Sequence, residues 1–460
     1  MPTAQSQPRR RQLLWLLALT LGLLLRLWFL HHPMPLDDDT GVYAELATNL
    51  FHHGIYGLAG DSGIAPTLIR LPGYPLFLAL IFSLFGTGNF TAVLLAQIAI
   101  DLLSCYLIAS FVSEQFSPRA GTIALFLATL CPFTAGYSTI ALTECLSIFA
   151  VSLALWSSAR LLRSLDAEGT GQIDSKALLL TSLAMAIAVL LRPDGALLTV
   201  AVLAAILWYN RTRPRLALTA ALLCGTLAVL PLAPWAARNW ITFHVVQPLA
   251  PRRVNDPGEY VNYGFYRWMN TWAIDIVSTG NVFWQVGTAS IDVNDIPSRA
   301  FDSPAQRQQT AALLAQYNVA KIIPPALDAK FDALARQRTH THPLLCHLWV
   351  PALRVGDMWL RPRTETLGLD ADWWLYSKHH RESIEAAILG LLNLALVLAA
   401  IIGFARKRVP YAALPIIYII LRCLLLSTME NSEPRYTIEA FPILLACASV
   451  AFIKSETQQP

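Results

Sequence analysis

The chain has 460 residues, of which 55% are hydrophobic and only 14% charged, with a formal net charge of +4. A soluble domain carries about 25% charged residues, so the shortfall excludes an ordinary soluble protein. The small positive excess, with no basic patch, excludes nucleic acid as a partner. The seven cysteines show no Cys-x-x-Cys or Cys/His spacing and read as small apolar fillers, not as a disulfide framework or a metal set.

In chain order, residues 1–12 carry Arg9, Arg10 and Arg11 and form a cytoplasmic N-terminus. The apolar run Leu13–Leu30 is too long for a signal-peptide core and lacks a small-residue cleavage site, so it reads as an uncleaved first membrane helix. Arg26, near its outer end, is expected to snorkel to the interface. A loop over 31–89 follows, with Asp37, Asp38 and Asp39 at its start. An Asp at a helix centre costs roughly 2.5 to 3.5 kcal/mol on insertion scales, which puts these three in the loop. Thr40 is the expected N-cap of an amphipathic surface helix whose apolar face includes Tyr43, Leu46, Ala47, Leu50 and Phe51. Further apolar runs lie at Tyr74–Phe85, Phe90–Val112, Ala120–Pro132, Leu142–Leu162, Leu178–Leu191, Ala196–Tyr209 and Leu216–Trp235. Residues 238–382 have ordinary polar composition and form an extracytoplasmic insertion, with helices expected over Ala305–Lys321 and Leu327–Thr339. The last spans fill 383–453, and 454–460 is a cytoplasmic tail.

Tyr74–Phe85 decides the topology. About 12 apolar residues are too few for a ~30 Å core. If this segment lies on the surface, Arg119, Arg160, Arg163, Lys176, Arg211, Arg213, Arg215, Arg406, Lys407 and Arg408 all fall on the N-terminal side, as the positive-inside rule requires. The fold class is therefore an all-α polytopic membrane protein with about ten spans, outer juxtamembrane helices and a mainly helical insertion. That topology gathers the aspartate loop, Arg70, Glu144, Arg192, Asp194, Arg238, Glu433, Arg435 and Tyr436 on one face, as a membrane-surface active site would need.

Each constellation also has a plain structural reading. Acids before a helix complement its dipole, and so does Glu144 in the first turn after Thr143. Arg70, ahead of Leu71-Pro72-Gly73-Tyr74-Pro75, sits at headgroup depth, where it either anchors the interface or forks onto a lipid phosphate. Arg192-Pro193-Asp194-Gly195 is a tight turn with an internal ion pair. Gln97 and Asp101 share a helix face, and Arg422 lies in another apolar run. These read as buried structural groups, with the partner of Asp101 open. The tandem histidines at 31/32, 52/53 and 379/380 lack metal-ligand spacing and fall in interface loops.

Six short motifs occur in order: Asp38-Asp39-Thr40-Gly41-Val42-Tyr43; Arg70-Leu71-Pro72-Gly73-Tyr74-Pro75; Leu142-Thr143-Glu144-Cys145-Leu146; Leu191-Arg192-Pro193-Asp194-Gly195; Pro234-Trp235-Ala236-Ala237-Arg238-Asn239; and Glu433-Pro434-Arg435-Tyr436. In this order the chain resembles the GT-C membrane glycosyltransferases, specifically the bacterial relatives of protein O-mannosyltransferases (glycosyltransferase family 39) and of the lipid A aminoarabinose transferases. The resemblance covers 13–239 well and the last spans more loosely. It implies a GT-C-type bundle in the inner membrane, with glycosyl transfer at the outer face. The implied donor is a sugar on a polyprenyl phosphate, and the acceptor is a lipid, glycan or protein. It assigns the general base to Asp39, with Asp38 in reserve and Asp37 supporting, and matches Glu144 to a second acidic position. Arg70, Arg435 and Arg238 would hold the phosphate, with Tyr43, Tyr74, Arg192, Asp194 and Tyr436 in support. No cofactor is required, no metal ligand set is assigned, and the acids leave room for a divalent ion. The rival reading, a transporter or flippase of lipid-linked sugars, would call for internal repeats and charges at mid-membrane depth, whereas the charges here gather at one surface.

Overall fold

In the computed structural model of the protein, residues 6–32, 38–166, 172–369 and 373–453 are described. Asp37 lies outside them, and so does the side chain of Asp38.

The first helix, α1 (Ser6–His31), is followed by α2 (Asp38–His53) and a hairpin of β1 (Gly57–Gly60) with β2 (Gly63–Pro66). The hairpin is a small exception to the expected all-helical chain. Its two-residue turn, Asp61-Ser62, is followed by Gly63 at φ +127°, a value that favours glycine. Then come α3 (Gly73–Phe85), α4 (Phe90–Gln115), α5 (Pro118–Thr129), α6 (Pro132–Tyr137), α7 (Glu144–Asp166), α8 (Ser175–Leu191), α9 (Ala196–Tyr209), α10 (Pro214–Val229) and α11 (Leu232–Phe243). Local chemistry sets several starts. Asn89 accepts from Ala92 N–H at α4, Ser117 from Ala120 N–H at α5, and Asp174 from Lys176 and Ala177 N–H at α8. Thr40 does not cap α2, which begins two residues earlier at Asp38; its hydroxyl donates instead to Ala141 O at 3.2 Å.

α1, α4, α7 and α17 (His380–Arg406) are long and apolar enough to cross a membrane alone, and α10 with α11 would make a fifth span bent by 46°. The other expected spans are shorter apolar helices: α5, α8, α9, α18 (Ala413–Ser427) and α19 (Phe441–Ala451). α3 has 13 residues and so runs only about 20 Å, short of a ~30 Å hydrocarbon core.

Between α11 and α17 the chain builds α12 (Tyr263–Asn270), the single turn α13 (Ile276–Ser278), α14 (Pro304–Ala320), α15 (Pro325–Thr341) and α16 (Val350–Leu360). Both helices expected from sequence in this stretch are present. It has its own core of Phe265, Trp268, Trp272, Tyr317 and Phe331. Arg354 ties it to the membrane helices, donating to Ala273 O at 2.8 Å, Asn270 O at 3.1 Å and Ser427 O at 3.3 Å.

The two ends of the bundle differ in chemistry. At one end the basic loops meet. Arg11 donates to Ser113 Oγ, Arg160 pairs with Glu114 at 2.6 Å, and Arg213 donates to Leu165 O. At the other end acids and arginines interlock.

The expectation for Arg26 needs correction. It does not snorkel: its side chain is 0% exposed and Asp101 is 1% exposed. Arg26 Nε donates to Asp101 Oδ2 at 2.6 Å, and Nη1 donates to Gly22 O and Thr129 O. A helix neighbour of opposite charge gave a better partner than the interface. Asp101 therefore meets Arg26 and not Arg422, while Gln97 accepts from Tyr74 OH at 2.7 Å.

Candidate active site

The site is built from element ends. α2 presents Asp39 in its first turn. The bend before α3 presents Arg70, whose Nη2 lies 2.6 Å from Asp39 Oδ1. A 3-10 turn, Pro434–Ala440, presents Arg435, whose Nη2 lies 3.2 Å from Asp39 Oδ2. Each oxygen of Asp39 thus faces a different guanidinium. Burial alone would raise the Asp39 carboxyl, but the charges of Arg435 and Arg70 outweigh it and hold the group below the usual carboxylate range. All three side chains keep some exposure, between 19% and 24%. Glu433 steadies Arg435 from behind at 2.5 Å and accepts from Tyr436 OH at 2.7 Å.

A second network lies against the first. Arg192, which follows α8, meets Glu144 Oε1 at 3.3 Å, Asp194 Oδ1 at 3.1 Å and Glu439 Oε1 at 3.0 Å. Arg422 on α18 closes it, reaching Asp194 at 3.1 Å and Glu439 at 2.8 Å. Tyr436 joins the two networks. Its backbone oxygen accepts from Arg422 Nε at 2.8 Å, and its ring faces both Arg192 and Arg435 at 5.6 Å. Burial opposes ionisation of Asp194, yet Arg192 and Arg422 bring its carboxyl down to about 2. Tyr43 and Tyr74 pack edge to face at 5.1 Å beside Arg70.

Asp39, Arg70, Arg435 and Tyr436 therefore come together, and Glu144, Arg192 and Asp194 adjoin them. Arg238 is engaged elsewhere. It donates to Tyr56 O at 2.7 Å and Thr67 O at 2.9 Å and stacks on Trp235 and Phe243, clamping the hairpin to α11. Sequence reasoning passed over Glu439. A carboxylate in an apolar run 17 residues after Arg422 was the signal for it. Among the described residues, no three His, Cys, Asp or Glu side chains are grouped to hold a metal ion. Among the described acids, Glu433 faces Arg435 and Glu144 faces Arg192.

Residues 67–237 match the sequence profile of a family described as dolichyl-phosphate-mannose-protein mannosyltransferase. No curated protein matches the chain by sequence. Among solved structures, an oligosaccharyltransferase from Archaeoglobus fulgidus, tethered to an acceptor peptide, superposes with a TM-score of 0.51 at 12% identity. The match covers 96% of this chain and 49% of that one. The fold is the GT-C fold. The same archaeal enzyme, AglB, in complex with an inhibitory peptide and a dolichol-phosphate, matches at 0.50 and 12% identity, over 96% of this chain and 50% of that one. ArnT from Cupriavidus metallidurans in the apo state gives 0.39 at 16% identity, over 95% of this chain and 76% of that one. The chain thus spans about half the length of the archaeal GT-C structures it matches.

Proposed function

We propose that the protein is an inner-membrane glycosyltransferase that moves a sugar from a polyprenyl phosphate to an acceptor at the outer face, with Asp39 as general base. The observation that carries this reading is one carboxylate held between two partly exposed guanidiniums at the acid-lined end of a GT-C bundle. The family profile over 67–237 and the dolichol-phosphate complex of AglB agree with it.

The chemistry follows from the charges. The acceptor O–H gives its proton to Asp39 while its oxygen bonds to the anomeric carbon. The bond from that carbon to the phosphate oxygen breaks, and the polyprenyl phosphate leaves with the electron pair. Arg70 and Arg435 stabilise the departing charge, Arg70 as a planar fork suited to phosphate. In the free protein these guanidiniums are occupied by Asp39 itself. An arriving phosphate competes for them, releases Asp39 and restores its basicity. Glu144 and Arg192 hold the turn that backs Tyr436.

A deletion strain tests this. Mass spectrometry of its envelope glycolipids and glycoproteins should show one lost sugar, restored by the wild-type chain and not by Asp39→Asn. Restoration by an Asp38→Asn/Asp39→Asn double variant overturns the assignment of the base.

A further inference from the structure

The stretch between α11 and α17 contains a cavity of about 510 Å³ that the charged cluster does not use. That volume lies within the ~300 to 1,000 Å³ range of small-molecule sites. Two kinds of side chain line it. Trp373 and Trp374 form a corner, with ring centroids 6.0 Å apart and planes at 80°. Facing them are Asp275, Asp295, Asp357 and Arg361. Asp275 is committed to Arg299 at 2.5 Å, and Asp295 is exposed at the rim. Asp357 Oδ2 has no hydrogen-bond partner among the described residues, and the nearest guanidinium nitrogen, on Arg361, is 3.9 Å away. Burial pushes the Asp357 carboxyl up to about 6.

We propose that this cavity is a glycan subsite that holds the sugar portion of the acceptor, and that it takes neutral or amino sugars. The apolar C–H face of a pyranose matches an aromatic ring, and its hydroxyls match carboxylates with unused acceptor capacity. Three lining carboxylates against Arg299 and Arg361 disfavour uronic or phosphorylated glycans. The cavity is also wired to the candidate active site through one helix. Asp357 on α16 and Arg361 just past its end put one side of that helix on the cavity. Arg354 and Met358, four apart and fully buried, put the adjacent face on the membrane helices. There Met358 O accepts from Thr437 Oγ1 at 3.4 Å, and just beyond the helix Arg363 donates to Pro434 O at 3.1 Å. These contacts grip the turn that carries Arg435. An acceptor glycan seated here would therefore lie one helix face from the turn that carries Arg435.

The acceptor role rests on the transferase reading, but the binding test does not. The full chain in nanodiscs is applied to an array of neutral, amino-sugar and acidic oligosaccharides. Retention of neutral or amino-sugar glycans is expected, weakened about tenfold by Trp374→Ala and by Asp357→Asn. Thermal unfolding, followed by scanning fluorimetry on the same samples, should be unchanged in both variants and reports that they are folded. Asp295→Asn, at the exposed rim, is the variant least able to disturb folding and should weaken retention in the same direction. No retention, preference for acidic glycans, or wild-type retention by all three variants overturns the proposal. Glycan retention without any transfer activity would instead overturn the transferase reading and the acceptor role, and leave the subsite.

Discussion

Two ionic clusters in this molecule use the same residue types in opposite ways. Arg26–Asp101 lies within the helix bundle, is shut off from solvent, and has its guanidinium nitrogens committed to the carboxylate or to carbonyls. Asp39, Arg70 and Arg435 lie at the helix ends, each about a fifth to a quarter exposed. A pair shut off from solvent is out of a ligand's reach. An open one can exchange partners, because a phosphate offers the guanidiniums what the carboxylate offers. Charge in an apolar segment is a functional candidate by default, and here exposure separates the structural case from the chemical one.

The largest expected effect breaks the comparison if it fails. Asp39→Asn should lower transfer by about 10² to 10⁴ with thermal unfolding nearly unchanged, whereas Asp101→Asn should do the reverse. Radiolabelled sugar transfer and scanning fluorimetry on the same preparations read both. Next, Arg26→Met should cost about 3 to 5 kcal/mol, since it leaves Asp101 buried without its partner. The remaining folded fraction should keep its specific activity. A smaller effect separates Arg70 from Arg238. Arg70→Ala should raise the donor concentration needed for half-maximal transfer about tenfold or more. Arg238→Ala should cost about 1 to 3 kcal/mol of stability with donor dependence unchanged.

The smallest effect is in pH. Asp194 has its folded value lowered from 3.8 to about 2, so its contribution is full above 3.8 and is lost as pH falls towards 2. Thermal stability should decline across that window, and Asp194→Asn should flatten the decline. An equally steep decline in the variant would contradict this assignment.

The sequence carried the fold well where hydrophobic run length speaks: the expected apolar segments are helical, although Leu216–Trp235 is broken into α10 and α11. It carried the partners poorly. Arg26 looked like an interfacial anchor because it lies near a helix end, and only the neighbouring helix reveals Asp101. Asp39, Arg70 and Arg435 are separated by 31 and 396 positions along the chain from the partners they meet, and no local pattern encodes that approach. Arg238 looked like a phosphate ligand by its place in a motif, while three-dimensional packing gives it the hairpin carbonyls. Glu439 was visible as a carboxylate in an apolar run, and pairing it with Arg422 would have recovered half of the second network.

One measurement bears most directly on the exchange between Asp39 and a donor phosphate. Undecaprenyl phosphate binding is compared in wild type, Asp39→Asn and Glu144→Gln, with single-turnover transfer followed in parallel. The account predicts that Asp39→Asn binds the lipid phosphate more tightly than wild type, clearly more so than Glu144→Gln, and transfers sugar about 10² to 10⁴ times more slowly. Unchanged or weaker lipid binding by Asp39→Asn, or transfer at the wild-type rate, would contradict it.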